Sequence, residues 1–92
     1  AQPSAEGDFA PRHGLDSAEL VDLFAWTESM WLEKTLGSAI RRIGYPVWLR
    51  NIAIALGNAE TTPEVLAALE ARKNSADEVV AEHVNWALQQ HR

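Results

Sequence analysis

An all-α fold of about five to six short helices, packed as a small solenoid or bundle, is what this sequence predicts. Three observations carry that expectation. Apolar residues recur at helical spacing from residue 16 onward, with almost no alternation of the kind a strand requires. Helix start and stop signals punctuate the chain at short intervals. The breaks between them are brief, so consecutive helices must lie as antiparallel neighbours. A chain of 92 residues with 47% hydrophobic and 23% charged content has room for one core.

The opening "AQPSAEGDFAPRHG" is rich in Pro, Gly and small residues. Residues 1–15 therefore read as an extended arm, followed by a helical domain at 16–92. Asp16 and Glu19 form a capping box, with Leu15 and Leu20 as the hydrophobic staple around it, and this first helix should end near Trp26. Thr27 caps a second helix that carries Trp31, Leu32 and Leu36 and stops at Gly37 as its C′ residue. Ser38 then opens a short helical turn over Ala39 to Ile43, ended by Gly44.

Pro46 stands at the first position of the next helix and Gly57 at its C′ position. Trp48, Leu49, Ile52, Ala53 and Leu56 form one stripe of that helix, while Val47 and Ile54 make the other side apolar too, which predicts a central, buried element. Thr61 and Glu64 supply a further capping box, with Pro63 in the first turn and Val65, Leu66 and Leu69 facing inward. Ser75 and Glu78 supply the last one, before a helix that packs Val79, Val80, His83, Val84, Trp86, Ala87 and Leu88 against the core.

Composition excludes several chemistries. No cysteine is present, so the chain has no disulfide, no thiolate nucleophile and no Fe–S or Cys-type zinc site of its own. His13, His83 and His91 lack the ligand spacing of a metal centre. The carboxylates fall in helix caps and first turns rather than as an acid/base dyad, and no phosphate-binding or nucleophile-elbow motif occurs. No apolar run approaches the ~18–20 residues that span a bilayer, and a cytoplasmic, monomeric protein without membrane contact is expected.

The charge distribution is the informative feature. The net charge is -5, yet "GSAIRRIGYPVWLRNIAIALGN" contains no carboxylate, and the acid-free stretch from Lys34 to Ala59 holds Lys34, Arg41, Arg42 and Arg50. Local charge decides steering, so the overall acidity leaves a polyanionic partner open. Guanidinium groups at Arg41 and Arg42 suit phosphate oxygens, which position a nucleic acid without reading its sequence. Alternatively the turn is a solvated basic surface paired with Glu28 or Glu33. Arg50 and Asn51 lie inside a helix built for burial, where Arg50 either faces a ligand or bonds loop carbonyls or a carboxylate, and Asn51 ties down the adjoining turn. Asn58 is a structural polar residue at the helix end, tolerant of the left-handed region. Trp31, Trp48 and Trp86 fall at core spacing, and Trp26 sits at a helix end.

The same stretch, with "LVDLFAWTESMW" before it and "EVVAEHVNWAL" after it, resembles the C-terminal HEAT-like region of the epoxyqueuosine reductases. Ala81 stands where an arginine is usual, and "DFAPRHGLD" is similar to the linker that follows the last cluster motif in that family. The resemblance covers nearly the whole chain and implies a small right-handed α-solenoid of HEAT-like hairpins. It also implies a parent enzyme that uses cobalamin and two 4Fe–4S clusters to reduce the epoxide of a tRNA-bound cyclopentane ring, completing queuosine in the anticodon. None of the cluster cysteines is in this sequence, so the fragment itself is expected to be non-catalytic and cofactor-free, with the catalytic and cluster domains upstream. Two roles follow as expectations. One is an accessory domain that supports the core and offers Lys34, Arg41, Arg42 and Arg50 to the backbone of the tRNA anticodon stem-loop. The other is a docking module that binds the core and never touches RNA.

Overall fold

Five α-helices and one 3-10 turn account for the regular structure of residues 17–92, which are the residues described in a computed structural model of the chain. In order these are α1 (Ser17–Phe24), α2 (Glu28–Lys34), the 3-10 turn Ala39–Ile43, α3 (Tyr45–Gly57), α4 (Pro63–Arg72) and α5 (Glu78–Gln90). No strand occurs among the described residues. The arm at 1–15 and the Leu15–Asp16 cap and staple lie outside them.

α3 is the hub. It packs most extensively on α5 and next on α1, while α4 fills the side between α5 and α1. The expected stripe is buried as a unit: Trp48, Leu49, Ile52, Ala53 and Leu56 are all at most 4% exposed. Leu20 and Phe24 from α1, Trp31 from α2, Val65 and Leu69 from α4, and Val80, Val84, Ala87 and Leu88 from α5 complete the core. The opposite side of α3 is less covered than its sequence predicts, because Ile54 is exposed. α5 departs in the same way. Its core seam is Val80, Val84, Ala87 and Leu88, and the neighbouring stripe containing Val79 and Trp86 turns outward, with His83 half-buried between them.

The caps show which local signals won. Thr27 accepts from the Met30 N–H and Ser38 from the Ile40 N–H, as expected. At α4 the cap is Thr62, whose hydroxyl accepts from Val65 N–H at 3.1 Å, because the Thr61 hydroxyl is engaged by His91 Nδ1 at 2.6 Å. At α5 the cap is Asp77, which accepts from both Val79 and Val80 N–H, while Ser75 accepts from the Asp77 N–H. A carboxylate at a helix N-terminus adds charge complementarity that a hydroxyl lacks. α2 ends at Lys34 and not at Leu36, and α1 at Phe24 and not near Trp26. α3 begins one residue before Pro46.

Gly57 lies inside α3 and is not a left-handed terminator. Asn58 has φ -99°, outside the left-handed region, and its amide donates to the Ile54 carbonyl at 3.1 Å. What requires glycine at 57 is the approach of α5. A Cβ there would stand 2.5 Å from Trp86 Cζ3 and 3.1 Å from both Cα and Cβ of Ala87. Overpacking of this kind costs about 1–3 kcal/mol, whereas alanine in a helix interior recovers up to ~1 kcal/mol over glycine. Gly57→Ala is therefore expected to lower the unfolding free energy in urea by roughly 1–2 kcal/mol. The loss should shrink in a Trp86→Ala background, and a gain in stability with Trp86 present would contradict this reading of the contact.

Candidate functional site

The longest acid-free stretch of the sequence includes a compact structural unit: the end of α2, a tight turn, the 3-10 turn and the start of α3. Aromatic packing beneath it sets the geometry. Trp48 stacks on Trp26 with centroids 5.3 Å apart and 16° between planes, and Trp31 is tilted against both Trp48 at 6.4 Å and Tyr45 at 5.9 Å. The Tyr45 hydroxyl donates to the Trp26 carbonyl at 2.5 Å, bringing the first residue of α3 onto the loop between α1 and α2. Gly44, at φ +86°, redirects the chain from the 3-10 turn into α3, and a side chain would be strained at that φ.

The basic side chains divide sharply. Arg72 donates from Nε to the Phe24 carbonyl at 2.8 Å and from a terminal nitrogen to the Trp26 carbonyl at 3.0 Å, with its guanidinium 5.4 Å from the Phe24 ring. It satisfies carbonyls that the end of α1 leaves open. Lys73 and Arg92 both pair with Glu70, at 2.9 and 3.2 Å. The Glu70 carboxyl is held below the usual carboxylate range, chiefly by the hydrogen bond from Lys73. Lys34 places its ammonium 5.4 Å from the centre of the Trp26 ring, a cation–π contact, and makes no ion pair among the described residues.

Arg41 and Arg42 are exposed and Arg50 is half-buried. Among the described residues none of the three makes an ion pair or a side-chain hydrogen bond, so the pairing with Glu28 or Glu33 entertained for Arg41 and Arg42 is not formed there. Asn51, half-buried, also makes no side-chain hydrogen bond among the described residues, and the carbonyl or turn contacts expected of Arg50 and Asn51 are not observed there. The structure thus brings Arg41 and Arg42 together on one exposed turn, adjoining the helix that carries Arg50 and the helix that ends in Lys34.

Arg72 is the residue that sequence reading passed over. Its signal was its spacing, since Val65, Leu69 and Arg72 share a helix face that is otherwise apolar. A second surface feature was also unforeseen: Ile54, His83 and Trp86, with Glu82, line a shallow groove of about 380 Å3 between α3 and α5. The described residues hold no group of three His, Cys, Asp or Glu able to bind a metal ion. No helix among them is long and apolar enough to cross a membrane.

No family model and no solved structure matches the chain. Similarity to known proteins is nevertheless high. The chain is 55% identical over 91 residues to an epoxyqueuosine reductase of Pseudomonas aeruginosa, a match covering 99% of this chain and 25% of that protein. It is 54% identical over 91 residues to one from Xanthomonas campestris pv. campestris, covering 99% of this chain and 26% of that protein. The corresponding Escherichia coli protein is 51% identical over 90 residues, covering 98% and 24%. The chain therefore spans about a quarter of the length of the relatives it matches. Identity of this level along practically every residue places the chain in the epoxyqueuosine reductase family, as the counterpart of the C-terminal part of that enzyme.

Proposed function

We propose that this chain is an accessory domain of an epoxyqueuosine reductase, supporting the catalytic core and holding the tRNA substrate by its backbone through Arg41 and Arg42, with Lys34 and Arg50 adding charge. The observation that carries the reading is the contrast among cations. Arg72, Lys73 and Arg92 are engaged by protein groups, whereas Arg41 and Arg42 stand exposed without an acid among the described residues. Exposed ion pairs contribute only about 0–1 kcal/mol, so stability gives little reason to strip every carboxylate from this stretch. A phosphate backbone gives a strong one.

On this reading the helices form a HEAT-like solenoid, and the packing of α3 against both α1 and α5, with α4 against α1 and α5, supports it. Reduction itself belongs to other parts of the enzyme. Iron–sulfur clusters are held by cysteine thiolates, and this sequence has none, so its residues do not fit that cofactor. Residues 1–15 are the linker from the cluster domain, and the cobalamin and substrate-reducing groups sit upstream of them.

A second reading, a docking module with no RNA contact, is favoured by the exposed Ile54, Val79 and Trp86 on the outer side of α3 and α5. Hydrogen exchange on the full-length enzyme separates the two. The 3-10 turn is a short element whose amides are expected to exchange quickly when unliganded. Addition of tRNA is expected to slow exchange at residues 37–46 and leave α4 unchanged. Unaltered exchange at 37–46 under saturating tRNA would remove the RNA-contact reading and leave docking.

A further inference from the structure

Leu36, which its spacing assigns to the interior of a helix, is instead the most exposed of the large apolar side chains among the described residues, at 73%. It is nonetheless held firmly. Thr35, fully buried, donates its N–H and its hydroxyl to the Trp31 carbonyl at 2.9 and 2.7 Å. The Ser38 N–H reaches back to the Thr35 carbonyl at 2.8 Å, closing a four-residue turn in which Leu36 is second and Gly37 third. Gly37 has φ +79°, the positive value that a type II turn needs at its third position. Ser38 then caps the 3-10 turn that carries Arg41 and Arg42. The apex of a tight, anchored turn is thus occupied by leucine, which contributes nothing to the turn's geometry and little to the core.

The surroundings say what such a tip suits. In the sequence Lys34 lies two residues before it and Arg41 and Arg42 follow on the 3-10 turn, and no carboxylate occurs from Lys34 to Ala59. Protein–protein interface cores are depleted in lysine though enriched in arginine, so Lys34 and the lack of any acid in this segment are what set the surroundings apart from one. An apolar side chain projecting among cations is instead the arrangement by which proteins pry apart nucleic-acid bases, with the cations holding the phosphates on either side. We infer that Leu36 is a wedge, inserting against unpaired bases of an RNA loop whose backbone is held by Arg41 and Arg42. This rests on the reading of the basic turn as the tRNA contact, and it adds what that contact lacks. Phosphate pairing fixes position without discriminating, whereas a wedge requires a step that opens easily, and so selects a loop over continuous duplex.

The test uses the full-length enzyme and an anticodon stem-loop RNA with 2-aminopurine in the loop, which brightens when its neighbour is unstacked. Wild-type enzyme is expected to raise the fluorescence on binding. Leu36→Ala should abolish that rise and weaken binding about tenfold, with the dependence of log K on log salt unchanged, because no charge is removed. Leu36→Met should retain both signals, and a continuous RNA duplex should be bound equally by wild type and Leu36→Ala. The wedge is overturned if Leu36→Ala keeps full affinity and the fluorescence rise. In that event a salt slope still flattened by Arg41→Glu with Arg42→Glu leaves the backbone contact standing, and an unaltered slope removes both. A lowered thermal midpoint of Leu36→Ala with normal RNA binding would also overturn it, assigning Leu36 to contact with the rest of the enzyme.

Discussion

Trp48→Ala is expected to remove about 3–5 kcal/mol of stability, the upper range for truncating a buried side chain. The indole is 1% exposed, stacked on Trp26 and tilted against Trp31, so truncation deletes transfer energy and leaves a cavity where α2, α3 and the loop between α1 and α2 meet. A domain of this length has roughly 5–14 kcal/mol in total. Thermal denaturation of the chain should accordingly show a midpoint lowered by some 12–40 °C, taking about 4–8 °C per kcal/mol for small domains. Trp48→Phe should fall between the two. The cost also has a functional side, because the same aromatic layer carries Trp26, under the Lys34 ammonium, and Tyr45, which opens α3. A shift of only a degree or two for Trp48→Ala would mean that the aromatic layer is not the foundation of the basic turn.

Helix number, order and the buried stripe of α3 were legible because they rest on periodicity and on Gly and Pro punctuation. What misled was choice among adjacent equivalents. Thr61 and Thr62 are both competent caps, and the one that caps was decided by His91, thirty residues away in sequence. Ser75 and Asp77 posed the same problem at α5, settled by the charge of Asp77. Gly57 has the local appearance of a terminator, and only the position of Trp86 reveals that it is there for close approach. α5 carries two adjacent apolar stripes, and a helix on the surface of so small a domain can bury only one, so Val79 and Trp86 are left outside.

The candidate site divides along the same line. Its charge was legible, since composition alone isolates the segment from Lys34 to Ala59. Which cations remain available was not, because that depends on where acids and open carbonyls lie in space. Arg72 is consumed by the end of α1, and Lys73 and Arg92 by Glu70, while Arg41 and Arg42 keep their charge exposed. Leu36 was hidden for a related reason. Its helical spacing is correct, but α2 stops two residues short of it.

Charge reversal at the turn tests the central claim most directly. In the full-length enzyme, Arg41→Glu with Arg42→Glu should leave folding intact, because both side chains are exposed and surface substitutions away from special features change stability by about 0.5 kcal/mol or less. Affinity for tRNA at near-physiological salt should fall about 100-fold, and the slope of log K against log salt should become shallower by about 1.4–1.8, the value for two lost phosphate contacts. A double variant that remains folded and binds tRNA with the wild-type affinity and the wild-type salt slope would contradict the assignment of this turn to the tRNA backbone.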